Sequence, residues 1–253
     1  MSAPVFIGCS HGTDSREGRL AIRSILADVA AARPDLDVRE AFVDVQQPEV
    51  ADVVAEALAG RRPGGDVAMS DDGSPRDDVD RAVADGGEVG AVVVPLLLST
   101  GFHVRVDIAA SIEGRAARAA PPLGPDPLLV EILADRLAEV RLTPEDVVVL
   151  AAAGSTDPDA ARDVRQVAAG LSVALSRGIA VGYGAGAHPR VAEAVAVARA
   201  GLHMGGRVVI AAYLLAPGYF YDRLLDAGAD VVTRPLALDP RLAEIALARY
   251  AEA

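Results

Sequence analysis

His11, Asp44 and His103 stand at the polar ends of three apolar runs, in "FIGCSHGTDS", "AFVDVQQP" and "PLLLSTGFH". Two imidazoles and a carboxylate suit a borderline divalent transition metal such as Fe(II), Co(II) or Ni(II), and three ligands leave coordination positions open for an incoming molecule. A neutral imidazole can also accept a proton. Taken singly, each group has an ordinary reading. A histidine after a strand is often a hydrogen bonder, Asp44 suits the start of a helix ahead of Pro48, and His103 suits a cap after "STG".

The elements that must carry these residues follow from periodicity. Pro4 to Cys9 is β-branched and apolar, a strand, and Arg16 to Ala32 repeats apolar residues at helical spacing through Ile22, Ile25, Leu26 and Val29. Asp14 or Ser15 caps that helix and Arg33-Pro34 ends it. Val38 to Val43 reads as the second strand, Pro48 to Leu58 as the second helix, and Gly90 to Leu98 as the third strand. This βαβα order predicts a parallel sheet, whose ligand sites lie at the carboxyl ends of the strands, where His11, Asp44 and His103 fall.

The second half of the chain repeats the first. "PLGPDPLLVEILADRLAE" from Pro122 and "PLALDPRLAEIALARYAE" from Pro235 agree at about ten of eighteen positions. "HGTDSREGR" pairs with "AGSTDPDAAR", Pro48 with Pro189, and "PLLLSTGFH" with "AYLLAPGYF". The predicted fold class is α/β: two tandem domains, each a parallel β-sheet flanked by helices, over residues 1–141 and 142–253. At the positions of His11, Asp44 and His103 the second copy carries Ala153, Ala185 and Phe220. Groups that served only the fold would persist in at least one of these places, so the first copy is expected to hold the active site and the second to be a degenerate repeat.

Composition removes several classes. A chain of 253 residues with a formal net charge of −12 repels nucleic acid and anionic lipid, so neither is expected as a partner. Its longest apolar stretch, Val208 to Ala216, is too short to span a bilayer, and the start of the chain lacks a secretory pattern. The lone Cys9 reads as a buried small hydrophobe, and a cytoplasmic setting is expected. His188 and His203 read as surface residues, and the acids Asp71, Asp72, Asp77, Asp78 and Asp80 as a solvated loop. No nucleophile elbow or Walker lysine supports a hydrolase or a nucleotide site.

"HGTDS" opening a helix, "FVDVQQP" and "PLLLSTGFHVRVDI" resemble the sirohydrochlorin chelatases of the class II chelatase family, in the long form that fuses two chelatase-like halves. The resemblance implies insertion of a divalent metal (Fe2+ or Co2+, with Ni2+ also compatible) into sirohydrochlorin or a related tetrapyrrole, in siroheme or cobalamin biosynthesis, without an organic cofactor. His11 and His103 would bind metal and accept protons. Asp44 stands where the family usually carries a glutamate. A flat ring fringed with carboxylates calls for close backbone approach at Gly12 and Gly101, and for donors nearby. Ser10, Gly12, Thr13, Ser99, Thr100, Gly101, Phe102 and Arg105 are therefore expected against the substrate, with Arg16 and Arg19 as further cations. A metal carrier or sensor using the same three ligands without turnover is the alternative. Fusion buries a pseudo-twofold contact inside one chain, so a monomer is expected.

Overall fold

The computed structural model describes residues 3–60, 88–101 and 103–253. The acidic stretch 71–80 lies outside the described residues. Among those described, the strands form two four-stranded parallel sheets. In the first, β1 (Val5–Ser10) lies between β2 (Val38–Phe42) and β3 (Ala91–Pro95), and β4 (Ala117–Ala119) forms the edge beyond β3. The second repeats this order with β5 (Val147–Ala152), β6 (Ile179–Tyr183), β7 (Val208–Tyr213) and β8 (Val231–Val232).

Both faces of each sheet are covered, which is why the strands read as continuous apolar runs rather than alternating ones. Alternate residues nonetheless separate cleanly. Phe6, Val92, Val94, Val148, Leu150, Val209 and Ala211 join one cluster that runs through both halves of the molecule. Ile7, Cys9 and Val93 face α2 (Val50–Ala59), while Val149, Ala151 and Ile210 face α6 (Val191–Ala200).

Between the sheets lie α1 (Arg16–Ala32), α4 (Pro127–Glu139), α5 (Pro158–Leu175) and α8 (Arg241–Glu252). Ile22, Ile25, Leu26 and Val29 are buried, as the spacing predicts, and Ser15 is the N-cap of α1, accepting the Gly18 N–H at 3.0 Å. The second helix starts later than its proline suggests. Val50 is its first residue and Glu49 its N-cap, because the Pro48 carbonyl accepts the Phe42 N–H at 3.0 Å and Phe42 bridges to Glu49, which keeps Pro48 in the bend before the helix. The third strand is shorter than the apolar run, ending at Pro95, so "LLLSTG" becomes a loop.

The halves exchange their last helices. α4 follows β4 in chain order yet packs against β7 and α5 of the second sheet, and the C-terminal α8 packs against β3 and α1 of the first. Tyr250 on α8 donates to the Pro4 carbonyl at 2.7 Å and meets the Phe6 ring. The repeated segments grip each other reciprocally. Arg136 on α4 donates to the carbonyls of Pro235 and Leu236, at 3.3 and 3.2 Å, and reaches Asp239. Its repeat counterpart Arg249 donates to Pro122, Leu123 and Pro125 and pairs with Asp126 at 2.8 Å. This is an isologous contact closed within one chain.

Asp146 braces the start of the second sheet. Its buried carboxylate accepts the backbone N–H groups of Thr143 and Arg207, both at 2.9 Å, and pairs with the Arg207 guanidinium at 2.7 Å. The Arg207 hydrogen bond leads the causes that hold this carboxyl well below the usual carboxylate range, against the opposing effect of burial. A depressed folded-state value stabilises the fold above the unfolded value of about 4, and that contribution is lost as pH falls below it. The urea midpoint is therefore expected to drop between about pH 4 and pH 2, and the drop should be shallower in Asp146→Asn. Equal slopes in the two proteins would remove Asp146 from the account.

Candidate functional site

Strand order 2-1-3-4 places a topological switch point between β1 and β3, and order 6-5-7-8 places one between β5 and β7. The carboxyl ends of all four strands open into one cleft of about 760 Å³ between the halves. Its apolar lining includes Ile22, Leu96, Ala152, Val164 and Leu214, and loops from both copies form its rim.

The first rim loop follows β1. His11, half-buried, lines the cleft beside Ser10, Gly12 and Thr13. Gly12 has φ +92°, and a Cβ there would press against the Asp44 carbonyl at 2.6 Å, so only glycine permits the loops after β1 and β2 to close on each other. The Thr13 N–H then donates to Gln46 Oε1 at 2.9 Å, which locks that closure. Ser10 is 5% exposed, and its hydroxyl has no hydrogen-bond partner among the described residues. A buried polar group left in that state at a cavity wall is a ready contact for a ligand.

The second rim loop follows β3 and brings Ser99, Thr100 and Gly101 to the cleft. His103 begins a six-residue π-helical segment, His103–Ile108, that runs directly into α3 (Ala109–Ile112). Phe102 and the side chains of His103 and Arg105 lie outside the described residues.

Asp44 is exposed and is not among the residues lining the cleft, although its neighbours Val45 and Gln46 are. Its carboxylate accepts the N–H of Val45 at 2.7 Å. Among the described residues, no three His, Cys, Asp or Glu side chains gather as a metal-binding group. Cys9 belongs to the outer core, and burial, with Asp107 adding to it, pushes its thiol up to about 12, so it remains protonated at neutral pH. His188 and His203 are exposed. Arg19 lines the cleft with its guanidinium within 3.3 Å of the Thr13 and Asp14 carbonyls, whereas Arg16 is exposed outside the lining.

The second copy's share of the wall is what the residue pattern of the first copy does not reveal. Ala153, Gly154 and Ser155 after β5, Pro217 and Gly218 after β7, and Phe220 in α7 (Tyr219–Leu225) face the first copy across the cleft. The pairing of "HGTDSREGR" with "AGSTDPDAAR" contains the signal, because equivalent strand ends must meet when two like units pack about a pseudo-twofold axis. Glu40, in β2, also lines the cleft and pairs with Arg23 at 3.1 Å.

Two like parallel α/β units that share one cleft at their strand ends define a tandem chelatase-like fold. A family model described as CbiX matches residues 71–140 and 147–253, and the chain belongs to the CbiX family. No curated protein sequence matches the chain. Among solved structures, SirB from Bacillus subtilis with Fe3+ is 19% identical, with a TM-score of 0.76 over 99% of this chain and 95% of that one. The sirohydrochlorin chelatase SirB from Bacillus subtilis subspecies spizizenii, in complex with cobalt, is 18% identical, with a TM-score of 0.67 over 99% and 94%. CbiX, described as the terminal enzyme for biosynthesis of siroheme in denitrifying bacteria, is 20% identical, with a TM-score of 0.60 over 98% of each chain.

Proposed function

We propose that this protein is a metal chelatase that inserts Fe2+ or Co2+ into sirohydrochlorin or a related tetrapyrrole, serving siroheme or cobalamin synthesis. The observation that carries the reading is the shared cleft, in which the His11 imidazole and the Ser10 hydroxyl, the latter without a partner among the described residues, stand over an apolar lining. Its volume of about 760 Å³ lies in the range of ligand sites and suits a flat macrocycle held edge-on between the halves. The names of the similar SirB and CbiX proteins, which mention sirohydrochlorin, siroheme, iron and cobalt, support the same reading.

Insertion requires the ring to lose two pyrrolic protons while the arriving ion sheds water. In this proposal His11 and His103 hold the metal substrate and accept ring protons, and Asp44 is a third ligand brought in when metal binds. Ser10, Gly12, Thr13, Ser99, Thr100, Gly101, Phe102 and Arg105 contact the ring. Three ligands with open positions release the ion to the ring, whereas a closed cage would retain it. No organic cofactor takes part, Ni2+ competes as a substrate, and the chain works as a cytoplasmic monomer divided between residues 141 and 142.

The test is direct. Purified protein mixed with sirohydrochlorin and Co(II) or Fe(II) is expected to change the ring's visible absorption faster than metal alone. Stoichiometric Co(II) binding with no acceleration would instead make the protein a metal carrier, and the enzymatic reading would fall.

A further inference from the structure

The second copy lacks the three polar groups of the first at its own strand ends, yet it aims two other polar side chains at the loop that leads to His103. Asp163, on α5, is 9% exposed, and its carboxylate accepts the Thr100 N–H at 2.8 Å. Tyr213, at the end of β7, is 2% exposed, and its hydroxyl donates to the Leu98 carbonyl at 2.8 Å. Burial, with Asp163 and Asp126 adding to it, raises the Tyr213 pKa, so the phenol stays a donor.

Neither group belongs to the shared repeat pattern. Aligning the helix caps Ser15 and Asp157 puts Ala21 opposite Asp163, and aligning "PLLLSTGFH" with "AYLLAPGYF" puts Leu96 opposite Tyr213. A third difference falls at the same place. A Cβ on Gly124 would run into both the Leu98 carbonyl oxygen and the Tyr213 hydroxyl, whereas the repeat counterpart of Gly124 is Ala237. Three positions thus depart from the repeat together, and all three meet at Leu98 to Thr100.

We infer that Asp163 and Tyr213 are positioning residues, through which the degenerate copy fixes the backbone from which the catalytic histidine of the other copy departs. The inference rests on the proposed role of His103. Displacing a reacting group by about 1 Å costs on the order of 100-fold in rate, so a hydrogen bond that sets a loop's height is visible in kcat.

Asp163→Ala and Tyr213→Phe are expected to lower kcat for metal insertion about 10- to 100-fold, with KM for the tetrapyrrole changed less than about threefold. Asp163→Asn, which keeps an oxygen acceptor, should recover most of the rate and guards against a variant that fails to fold. Two readings need no turnover. The Thr100 amide should exchange with solvent at least about tenfold faster in Asp163→Ala. Co(II) affinity, lowered by Asp163→Ala alone, should not fall further when that change is added to His103→Ala, since both act through one group. Wild-type kcat in Asp163→Ala and Tyr213→Phe, unchanged Thr100 exchange, or additive losses in the double variant would each overturn the inference. A wild-type protein that inserts no metal would overturn the functional reading instead, while exchange and Co(II) coupling would still decide this one.

Discussion

His11→Ala and His103→Ala are each expected to reduce metal insertion by about 1,000-fold or more while leaving the protein folded. A positioned acid–base group contributes roughly 10²- to 10⁴-fold, and here each imidazole is also a ligand of the arriving ion, so loss of either removes two functions. The cost in stability is small, about 1 kcal/mol or less, because the changes lie outside the packed sheets. His11 is half-buried on the loop beyond β1, and His103 follows the loop beyond β3, whereas the core residues Ile7 and Val93 lie further back along the strands. Initial rates at saturating Co(II), read beside a thermal melt, check both halves of the expectation. Near wild-type turnover in both variants would overturn the assignment, and an unfolded variant would show that the loops carry structure rather than chemistry.

Arg136→Ala and Arg249→Ala are expected to have the largest effects on stability, each about 3 kcal/mol, which for a chain of this size lowers Tm by about 10 °C. Arg136 is 3% exposed and satisfies two carbonyls of the other repeat as well as Asp239. Truncation leaves those acceptors buried without their donor, and that desolvation penalty outweighs the modest net worth of the bonds themselves. Arg241 shares Asp239 at 2.9 Å, which limits the loss at the first clamp, while Arg249 holds three carbonyls and Asp126 at the second. Lysine should restore less than half of either loss, because a point charge cannot serve several diverging acceptors as the guanidinium fork does. Melting within about 2 °C of wild type in both alanine variants would show that the exchanged helices are held by apolar packing alone. Leu129, Ile132, Leu133 and Leu137 on α4 are fully buried and would supply it at about 2 kcal/mol each.

Other surface ion pairs carry less weight. Arg33 with Asp35 and Arg39 with Asp37 join neighbours in sequence at the solvent-facing surface, where water screens most of the attraction. The clamp arginines differ because each reaches more than a hundred residues along the chain, or close to it, and ends on backbone carbonyls of the other repeat.

Much of this molecule is written in local pattern. The stripe Ile22, Ile25, Leu26, Val29 is buried where its spacing places it, and the capping pair Asp14 and Ser15 resolves to Ser15. The duplicated order of strands, and the residues that follow them, also follow from short-range regularities, since each βα unit is made by nearest neighbours in sequence. Boundaries were less legible where a special backbone intervened. Pro48 looked like the first residue of a helix, but its carbonyl accepts the Phe42 N–H at 3.0 Å, which makes it part of the bend that precedes Glu49. Leu96 to Leu98 looked like the end of a strand, but the ladder with β1 stops at the pair Cys9–Pro95, and after a last bond from the Leu96 N–H to the Cys9 carbonyl the chain turns into the loop.

What the amino-acid order determined by itself is the set of parts: two like α/β units, apolar strands buried on both faces, and His11, Asp44 and His103 beyond the strands of one copy where the other carries Ala153, Ala185 and Phe220. Which sheet each final helix covers, and that Asp163 and Tyr213 reach Thr100 and Leu98, were decided only by the tertiary structure. The reason is physical. Periodicity says that a helix must bury a face but not against what, and a hydrogen bond between residues 63 or 115 positions apart has no local trace until packing brings its ends together.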